Sequence, residues 1–205
     1  MPEKEYLSSG ERRERTVEAV IKLCSRADPA TITTENIAGH MRVTQGALFR
    51  HFPNKEAIWE AVVAWVAGRI SDRVLVAGEE IEDPLKALEA IFVAHVDFIA
   101  RHPGVPRVLI GQLQHSRSTQ AKRMVRSMLE AYRQRIAALL QQAQKARALR
   151  PGLSIDAAAI QFIGTLQGLV LQSLIAGDVP RIVAQAPAAF DIYLNGIRVD
   201  PGGKR

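Results

Sequence analysis

The chain has 205 residues, of which 47% are hydrophobic and 23% charged, and its formal net charge is +6. This balance is typical of a folded soluble protein and excludes disorder over most of the chain. The single cysteine, Cys24, excludes an internal disulfide framework and a cysteine-rich metal site. The charged N-terminal residues are unlike a signal peptide, so we expect a cytoplasmic protein.

Four helices are expected in the first third of the chain, where apolar residues recur at helical spacing. The second and third of these helices are short, follow Thr33 and Thr44 as N-caps, and are joined by about three residues. Asn54 is the expected cap of a long fourth helix. Two short helices braced by a longer one before them form a helix-turn-helix arrangement. The expected spans are 11–27, 34–40, 45–52 and 55–76.

The pattern also predicts how this motif packs. Ile37 and Ala38 are expected to face inward on the first short helix, and Leu48 and Phe52 to anchor the second helix to the core. Val43 is expected to fill the turn between them. The remaining surface of the second short helix is then free to enter a major groove.

Five further helices are expected after an acidic break near residue 80, and no strand alternation is present, so the fold class is all-α with nine helices. The expected spans are 85–101, 107–114, 118–148, 154–176 and 180–197. The uncharged stretch 157–177 is interpreted as a buried interface helix rather than a membrane span.

Positive charge is concentrated away from the helix-turn-helix. Residues 121–150 contain eight Lys and Arg against one acidic residue, whereas residues 1–57 contain nine against eight. A nucleic-acid function must therefore be argued from motifs rather than from the net charge. The basic run is either a solvated helix face or a surface for an anionic ligand or a second DNA contact; it comprises Lys122, Arg123, Arg126, Arg133 and Arg135.

The run VTQGALFRHFPNKEAI, from Val43 to Ile58, resembles the TetR/AcrR family of transcriptional repressors. The resemblance is specific over Glu11–Val66, and beyond it only the helix count, helix lengths and chain length agree. It implies a TetR-like architecture with an N-terminal three-helix helix-turn-helix domain and a C-terminal helical domain for ligand binding and dimerisation. The expected boundaries are 9–56 for the helix-turn-helix domain, 57–78 for the connecting long helix, 79–198 for the C-terminal domain, and 1–8 and 199–205 for loose termini.

The resemblance also implies which residues contact DNA. Gln45 occupies a position where the family often has a base reader, and Arg50 reaches either guanine or a phosphate. Ala47 and Phe49 depart from the common threonine and tyrosine, so two polar contacts of the family are absent. The full expected set is Thr33, Thr34, Arg42, Thr44, Gln45, Gly46, Ala47, Phe49, Arg50, His51 and Lys55.

In the C-terminal half, the resemblance implies a pocket for a small apolar or amphipathic ligand and a homodimer interface made by the last two helices. His95 and His102 are seven residues apart on one helix face, but no third ligand accompanies them and no metal site is expected. The candidate pocket residues are Phe92, His95, Phe98, Met124, Met128, Tyr132 and Phe162. The candidate interface residues are Gly164, Gly168, Leu171 and Ile175.

The leading interpretation is a homodimeric transcriptional regulator, a repressor, that binds a near-palindromic double-stranded operator and is released by the ligand. No catalytic constellation, phosphate-binding loop or cofactor motif is present, so neither enzymatic activity nor a cofactor is expected, and no membrane is expected as a partner. The alternatives are a constitutive or architectural DNA binder without a ligand, and a small-molecule carrier whose helix-turn-helix is vestigial.

Overall fold

The computed structural model describes residues 8–199. Nearly all of the two segments expected to be loose, 1–8 and 199–205, lies outside the described residues. Within the described range the all-α prediction is confirmed, with nine α-helices and one isolated β-bridge between Leu149 and Arg198. The helices are α1 Ser9–Cys24, α2 Thr34–Met41, α3 Gln45–Phe49, α4 Lys55–Arg69, α5 Pro84–Arg101, α6 Val105–Gln114, α7 Gln120–Lys145, α8 Ile155–Ile175 and α9 Ile182–Ile197.

The chain forms two compact units, each with its own core. Of the described residues, the first unit contains 8–67 together with His102–Arg126, and the second contains Gly68–Arg101 together with 127–199. Helix α6 therefore belongs to the same unit as the helix-turn-helix. The functional division at residues 56 and 78 stays a prediction.

Side-chain caps fix the beginnings of the early helices. Ser8 and Glu11 form a reciprocal capping box at α1, in which Ser8 Oγ accepts from the Glu11 N–H at 3.2 Å. The hydrogen bonds from Ser8 hold the pKa of Glu11 below its usual value. Asn54 Oδ1 accepts from the Ala57 N–H at 2.8 Å at the start of α4. The predicted cap Asn54 is thus confirmed, whereas Ser8 is a cap that the sequence analysis does not assign.

The long fourth helix differs from its predicted form. The α-helix ends at Arg69 rather than near Val76, and the chain continues as a π-helical segment over Ile70–Leu75 and a 3₁₀ turn over Val76–Gly78. The turn is packed closely, since a Cβ on Gly78 would lie 3.0 Å from the carbonyl oxygen of Ala87 on α5. This contact with the following helix is not encoded in the apolar spacing that predicts one continuous helix over 55–76.

The third helix is shorter than predicted, and the turn before it packs differently. Helix α3 ends at Phe49 instead of residue 52, because Pro53 has no N–H with which to continue a helix. Val43 is 42% exposed, so the expectation that it fills the turn is wrong. The turn instead closes through the backbone, where the Val43 N–H donates to the Ala38 carbonyl at 3.0 Å.

In the first unit, α6 meets α1 at very close range. A Cβ built on Gly104 would lie 1.9 Å from the carbonyl oxygen of Ile21 and 2.9 Å from the backbone nitrogen of Ser25. Gly104 itself has an ordinary right-handed backbone, with φ −78°. Only the absence of a side chain permits this approach.

In the second unit, aromatic rings from α5, α8 and α9 form the core. Phe92 lies 5.5 Å from Phe162 and 5.0 Å from Phe190, measured between ring centroids. The Tyr193 hydroxyl donates to the carbonyl oxygen of Ala158 at 3.1 Å, which joins α9 to α8. The Phe92 and Phe162 rings meet edge to face, an arrangement that is favourable beyond the apolar area it buries.

Candidate nucleic-acid interface

The helix-turn-helix is held by the buried residues that the sequence predicts. Ile37 and Ala38 on α2, and Leu48 and Phe52 after the turn, are all at most 3% exposed. The turn itself depends on Arg42, which adopts the left-handed conformation with φ 56° and ends α2. These contacts fix the angle between α2 and α3.

The outward surface of α3 is exposed and mainly polar. Thr44, Gln45, Gly46 and Arg50 are exposed, and the ring of Phe49 is 42% exposed. Thr44 Oγ1 accepts from the Ala47 N–H at 3.1 Å, so its hydroxyl caps the helix as predicted. The face thus presents an amide, a guanidinium and an aromatic ring to solvent, with no acidic residue in α3.

Gln45 is oriented by a contact between the two short helices. Its Nε2 donates to Thr34 Oγ1 at 3.2 Å. Thr33 caps α2 through a reciprocal box with Asn36, in which the Asn36 N–H donates to Thr33 Oγ1 at 3.1 Å. The structure therefore brings three of the expected DNA-contacting residues together at the starts of α2 and α3.

Gly46 is not required by the fold. A Cβ built there would meet only Thr44 Oγ1, at 3.9 Å, which is an ordinary van der Waals distance. Because glycine in a helix costs about 0.5–1 kcal/mol relative to alanine, the fold alone would favour alanine here. A glycine that folding does not need, on an exposed face, suggests close approach by another molecule.

Hydrogen bonds and a cation–π contact connect the end of the motif to α1, and the sequence pattern does not predict them. Arg13 donates from Nη1 to the His51 carbonyl oxygen, and its guanidinium lies 4.4 Å from the centre of the Phe52 ring. Ser9 Oγ lies 3.3 Å from His51 Nδ1. Arg13 and His51 lie 38 positions apart, so no local sequence pattern indicates their pairing. Lys55 is half-buried, with Nζ 6.0 Å from the Trp59 ring centre.

The candidate pocket residues fall into the core and a buried polar pair. Phe92, Phe98 and Phe162 are buried, whereas Met124 and Met128 are half-buried. The remaining two, His95 and Tyr132, form the polar pair. Whether these seven residues contact a ligand stays a prediction.

The polar pair joins α5 to α7. His95 Nδ1 lies 3.0 Å from the Tyr132 hydroxyl, and the rings meet edge to face. Burial lowers the pKa of His95 to about 4 and raises that of Tyr132. The pair is therefore uncharged at neutral pH. His102 makes a different contact, with the centre of its ring 5.2 Å from that of Trp65. His95 and His102 therefore contact two different aromatic side chains.

Helices α8 and α9 carry the most exposed large apolar side chains among the described residues of the second unit. Ile192 and Ile175 are 74% and 72% exposed, and Leu171 is 52% exposed. The predicted interface glycines Gly164 and Gly168 have open space where a Cβ would stand. A groove of about 530 Å³ runs along the same two helices, lined by Ala157, Gln161, Thr165, Ile192 and Tyr193 among others.

Among the described residues, α8 is the one helix long and apolar enough to cross a membrane. Of its most apolar stretch of 18 residues, 28% is buried within the chain. Its sequence was interpreted as a buried interface helix. Within this chain the helix is mostly uncovered, so that interpretation requires a partner.

Comparison with known proteins agrees with this architecture. Residues 17–62 match the family described as bacterial regulatory proteins, tetR family, and residues 84–190 match the tetracyclin repressor-like C-terminal domain. The chain belongs to the TetR family of regulators. The first of these matches contains α2, α3 and the turn between them, and the second reaches from α5 into α9.

Curated proteins and solved structures resemble this TetR-family chain over most of its length. The nucleoid occlusion factor SlmA of Aliivibrio fischeri (strain MJ11) is 30% identical over 162 residues, covering 77% of this chain and 81% of that protein. The fatty acid degradation regulator FadR of Bacillus halodurans superposes with a TM-score of 0.81 at 18% identity, covering 95% and 100% of the chains. FadR of Bacillus subtilis, solved in complex with stearoyl-CoA, has a TM-score of 0.76 at 17% identity, covering 90% and 99%.

Proposed function

We propose that this protein is a sequence-specific regulator of transcription, a repressor, that binds double-stranded operator DNA through α3. The observation that carries the proposal is the exposed face of α3, with Gln45, Gly46 and Arg50 held on a buried helix-turn-helix scaffold. A short helix presented in this way is the element that enters the major groove in helix-turn-helix proteins. Family members are regulators rather than enzymes, which supports a non-catalytic role in the cytoplasm.

Each exposed group of α3 has a chemical role in this proposal. The Gln45 amide can bond adenine N6 and N7 together, and the Arg50 guanidinium can bond guanine O6 and N7 or a phosphate. Ala47 and Phe49 offer apolar contact to thymine methyl groups. Thr33, Thr34, Arg42, Thr44, His51 and Lys55 surround this face and supply contacts to the backbone, which orient the protein without reading sequence.

We propose that two copies pair through α8 and α9. The exposed Leu171, Ile175 and Ile192 would be covered by the same residues of a second copy, and Gly164 and Gly168 allow the two α8 helices to approach closely. A symmetric dimer presents two copies of α3, so the operator would be an inverted repeat with half-sites about one helical turn apart.

The second unit is proposed to bind a small apolar or amphipathic ligand that lowers operator affinity. The aromatic residues and the uncharged His95–Tyr132 pair supply apolar walls with one polar anchor, which is the usual character of a ligand site. Ligand binding would act by favouring an arrangement of the connecting segment 57–78 that changes the spacing of the two α3 helices. The FadR protein that binds stearoyl-CoA supports this reading of the fold.

The proposal is tested by selecting bound duplexes from a random library and sequencing them. The wild-type chain should enrich an inverted repeat, and the Gln45→Ala/Arg50→Ala variant should not. Binding that vanishes at moderate salt without any enriched sequence would mean that only backbone contacts are made, and the proposal would fail. The selected operator then serves to screen ligands by release of bound DNA.

A second candidate is a chromosome-associated factor that binds many DNA sites without a ligand. The similarity to nucleoid occlusion factors, at 30% identity over 77% of the chain, favours it. Mapping bound sites across the chromosome separates the two functions. A few sites next to promoters support the regulator, whereas many dispersed sites, together with no ligand that releases DNA, support the second candidate.

A further inference from the structure

The segment from His115 to Arg126, which we call the basic segment, carries positive charge without any acidic residue. It joins α6 to α7 and includes the first seven residues of α7. The whole stretch 102–126 in the first unit contains five Lys and Arg and no Asp or Glu. Four of those five cations lie in the basic segment, namely Arg117, Lys122, Arg123 and Arg126.

No carboxylate within residues 8–199 forms an ion pair with the cations of the basic segment. Lys122 Nζ donates to the His115 carbonyl oxygen, and Arg123 Nη1 donates to the Ser118 carbonyl oxygen at 2.7 Å. These acceptors are uncharged. Arg117 and Arg126 are exposed and form no ion pair or side-chain hydrogen bond with any described residue.

Arg133, farther along α7, shows the contrasting case. Its guanidinium pairs with Glu130 at 2.9 Å and also with Asp156. The charge of Arg133 is thus compensated by two carboxylates, whereas no carboxylate of the described residues pairs with Arg117 or Arg126.

Helix stability does not account for this arrangement. Lys122 and Arg123 lie in the first turn of α7, where the helix dipole is positive and favours acidic side chains. Cations here disfavour the helix, so their placement points to an anionic partner.

The position of the basic segment indicates which anion it meets. Helix α6 packs on α1 and on the 3₁₀ turn Pro29–Thr31, and a Cβ on Gly111 would lie 3.5 Å from the Pro29 Cβ. That turn leads directly into Thr33, the cap of α2 and one of the expected backbone-contacting residues. The basic segment therefore leaves α6 next to the chain segment that enters the helix-turn-helix, in the same compact unit.

We propose that the basic segment binds phosphates of duplex DNA outside the base pairs read by α3. This inference depends on the proposed function, because it assumes that α3 holds the protein on DNA. The contact is electrostatic and independent of base sequence, so it adds affinity from the flanks of the operator without changing the sequence that is recognised.

The test compares two variants that each remove two positive charges per chain. Arg117→Gln/Arg126→Gln changes the basic segment and removes no hydrogen bond or ion pair of the described residues. Arg135→Gln/Lys145→Gln is the matched control on the later part of α7. Binding is measured against salt concentration, on the selected operator and on the operator extended by about 10 base pairs on each side.

We expect the wild type and the control to bind the extended duplex more tightly than the short one. The Arg117→Gln/Arg126→Gln variant should lose that gain, and its slope of log K against log salt should be less negative by about 0.9 for each phosphate contact removed. Its preference among operator sequences should not change. Equal salt slopes for the wild type, the variant and the control would overturn the inference. In that case, binding of polyglutamate by the wild type but not by the Arg117→Gln/Arg126→Gln variant would indicate that the basic segment binds an acidic protein.

Failure of this inference is distinguishable from failure of the proposed function. If the wild type selects no sequence, the proposed function fails. If the wild type selects an operator and the salt slopes are equal, only the role of the basic segment falls.

Discussion

Replacement of Gly46 by alanine should stabilise the protein and weaken its binding to DNA. The added methyl group meets nothing closer than 3.9 Å within the chain, and the backbone of Gly46 is already helical. Removing the glycine should therefore raise the free energy of unfolding by about 0.5–1 kcal/mol. On DNA, a methyl group forced into a close-packed contact costs about 1–3 kcal/mol per half-site, and each 1.4 kcal/mol lowers affinity tenfold.

Gly39→Ala is the matched control for this prediction. Gly39 lies in α2, is also exposed, and also has no atom within 4 Å of an added Cβ. It borders a surface groove with Leu23 and His40, on residues outside the expected DNA-contacting set. Urea unfolding and operator binding are measured for both variants. Both should gain stability, but only Gly46→Ala should lose affinity; equal operator affinity for the two variants would refute the role given to Gly46.

Four further predictions follow from the structure. Gly104→Ala should destabilise the first unit by about 1–3 kcal/mol or more, measured by urea unfolding, because the new Cβ would overlap backbone atoms of α1. Cys24, buried and with its pKa raised to about 12, should resist iodoacetamide in the native protein and react in denaturant. His95 is neutral when folded and has a pKa of about 4, below its unfolded value of about 6.5. Stability should therefore fall as the pH drops from 6.5 towards 4, by at most about 3 kcal/mol, and His95→Gln should reduce this dependence. Leu171→Glu/Ile192→Glu should convert the dimer to monomer in sedimentation experiments and weaken operator binding, and an unchanged dimer would contradict the assigned interface.

Features that depend on residues close in sequence were predicted correctly. The caps Thr33, Thr44 and Asn54 each bond a backbone N–H three residues ahead, so the local sequence determines them. Leu48 and Phe52 are buried as predicted, although only Leu48 lies within α3. The helix-turn-helix was therefore accessible from the sequence alone.

Features that depend on distant contacts were missed. The pairing of Arg13 with His51 spans 38 positions, and the π-helical segment after Arg69 precedes a turn packed against α5. Val43 was expected to fill the turn, but its side chain is exposed and its backbone N–H closes the turn by donating to the Ala38 carbonyl oxygen. The sequence does not identify the ligand, because aromatic and methionine residues at helical spacing are equally compatible with a hydrophobic core and with the wall of a pocket.

The most direct test of the account is a scan of operator base pairs with two proteins. Equilibrium binding of the wild type and of Gln45→Ala/Arg50→Ala is measured on the selected operator and on duplexes in which one symmetry-related base pair is replaced at a time. The wild type should discriminate against wrong bases by about 1–3 kcal/mol at the positions read by α3. The variant should lose discrimination at those positions and keep it elsewhere. Loss of affinity that is uniform across all duplexes, with discrimination intact, would contradict the claim that α3 reads the operator.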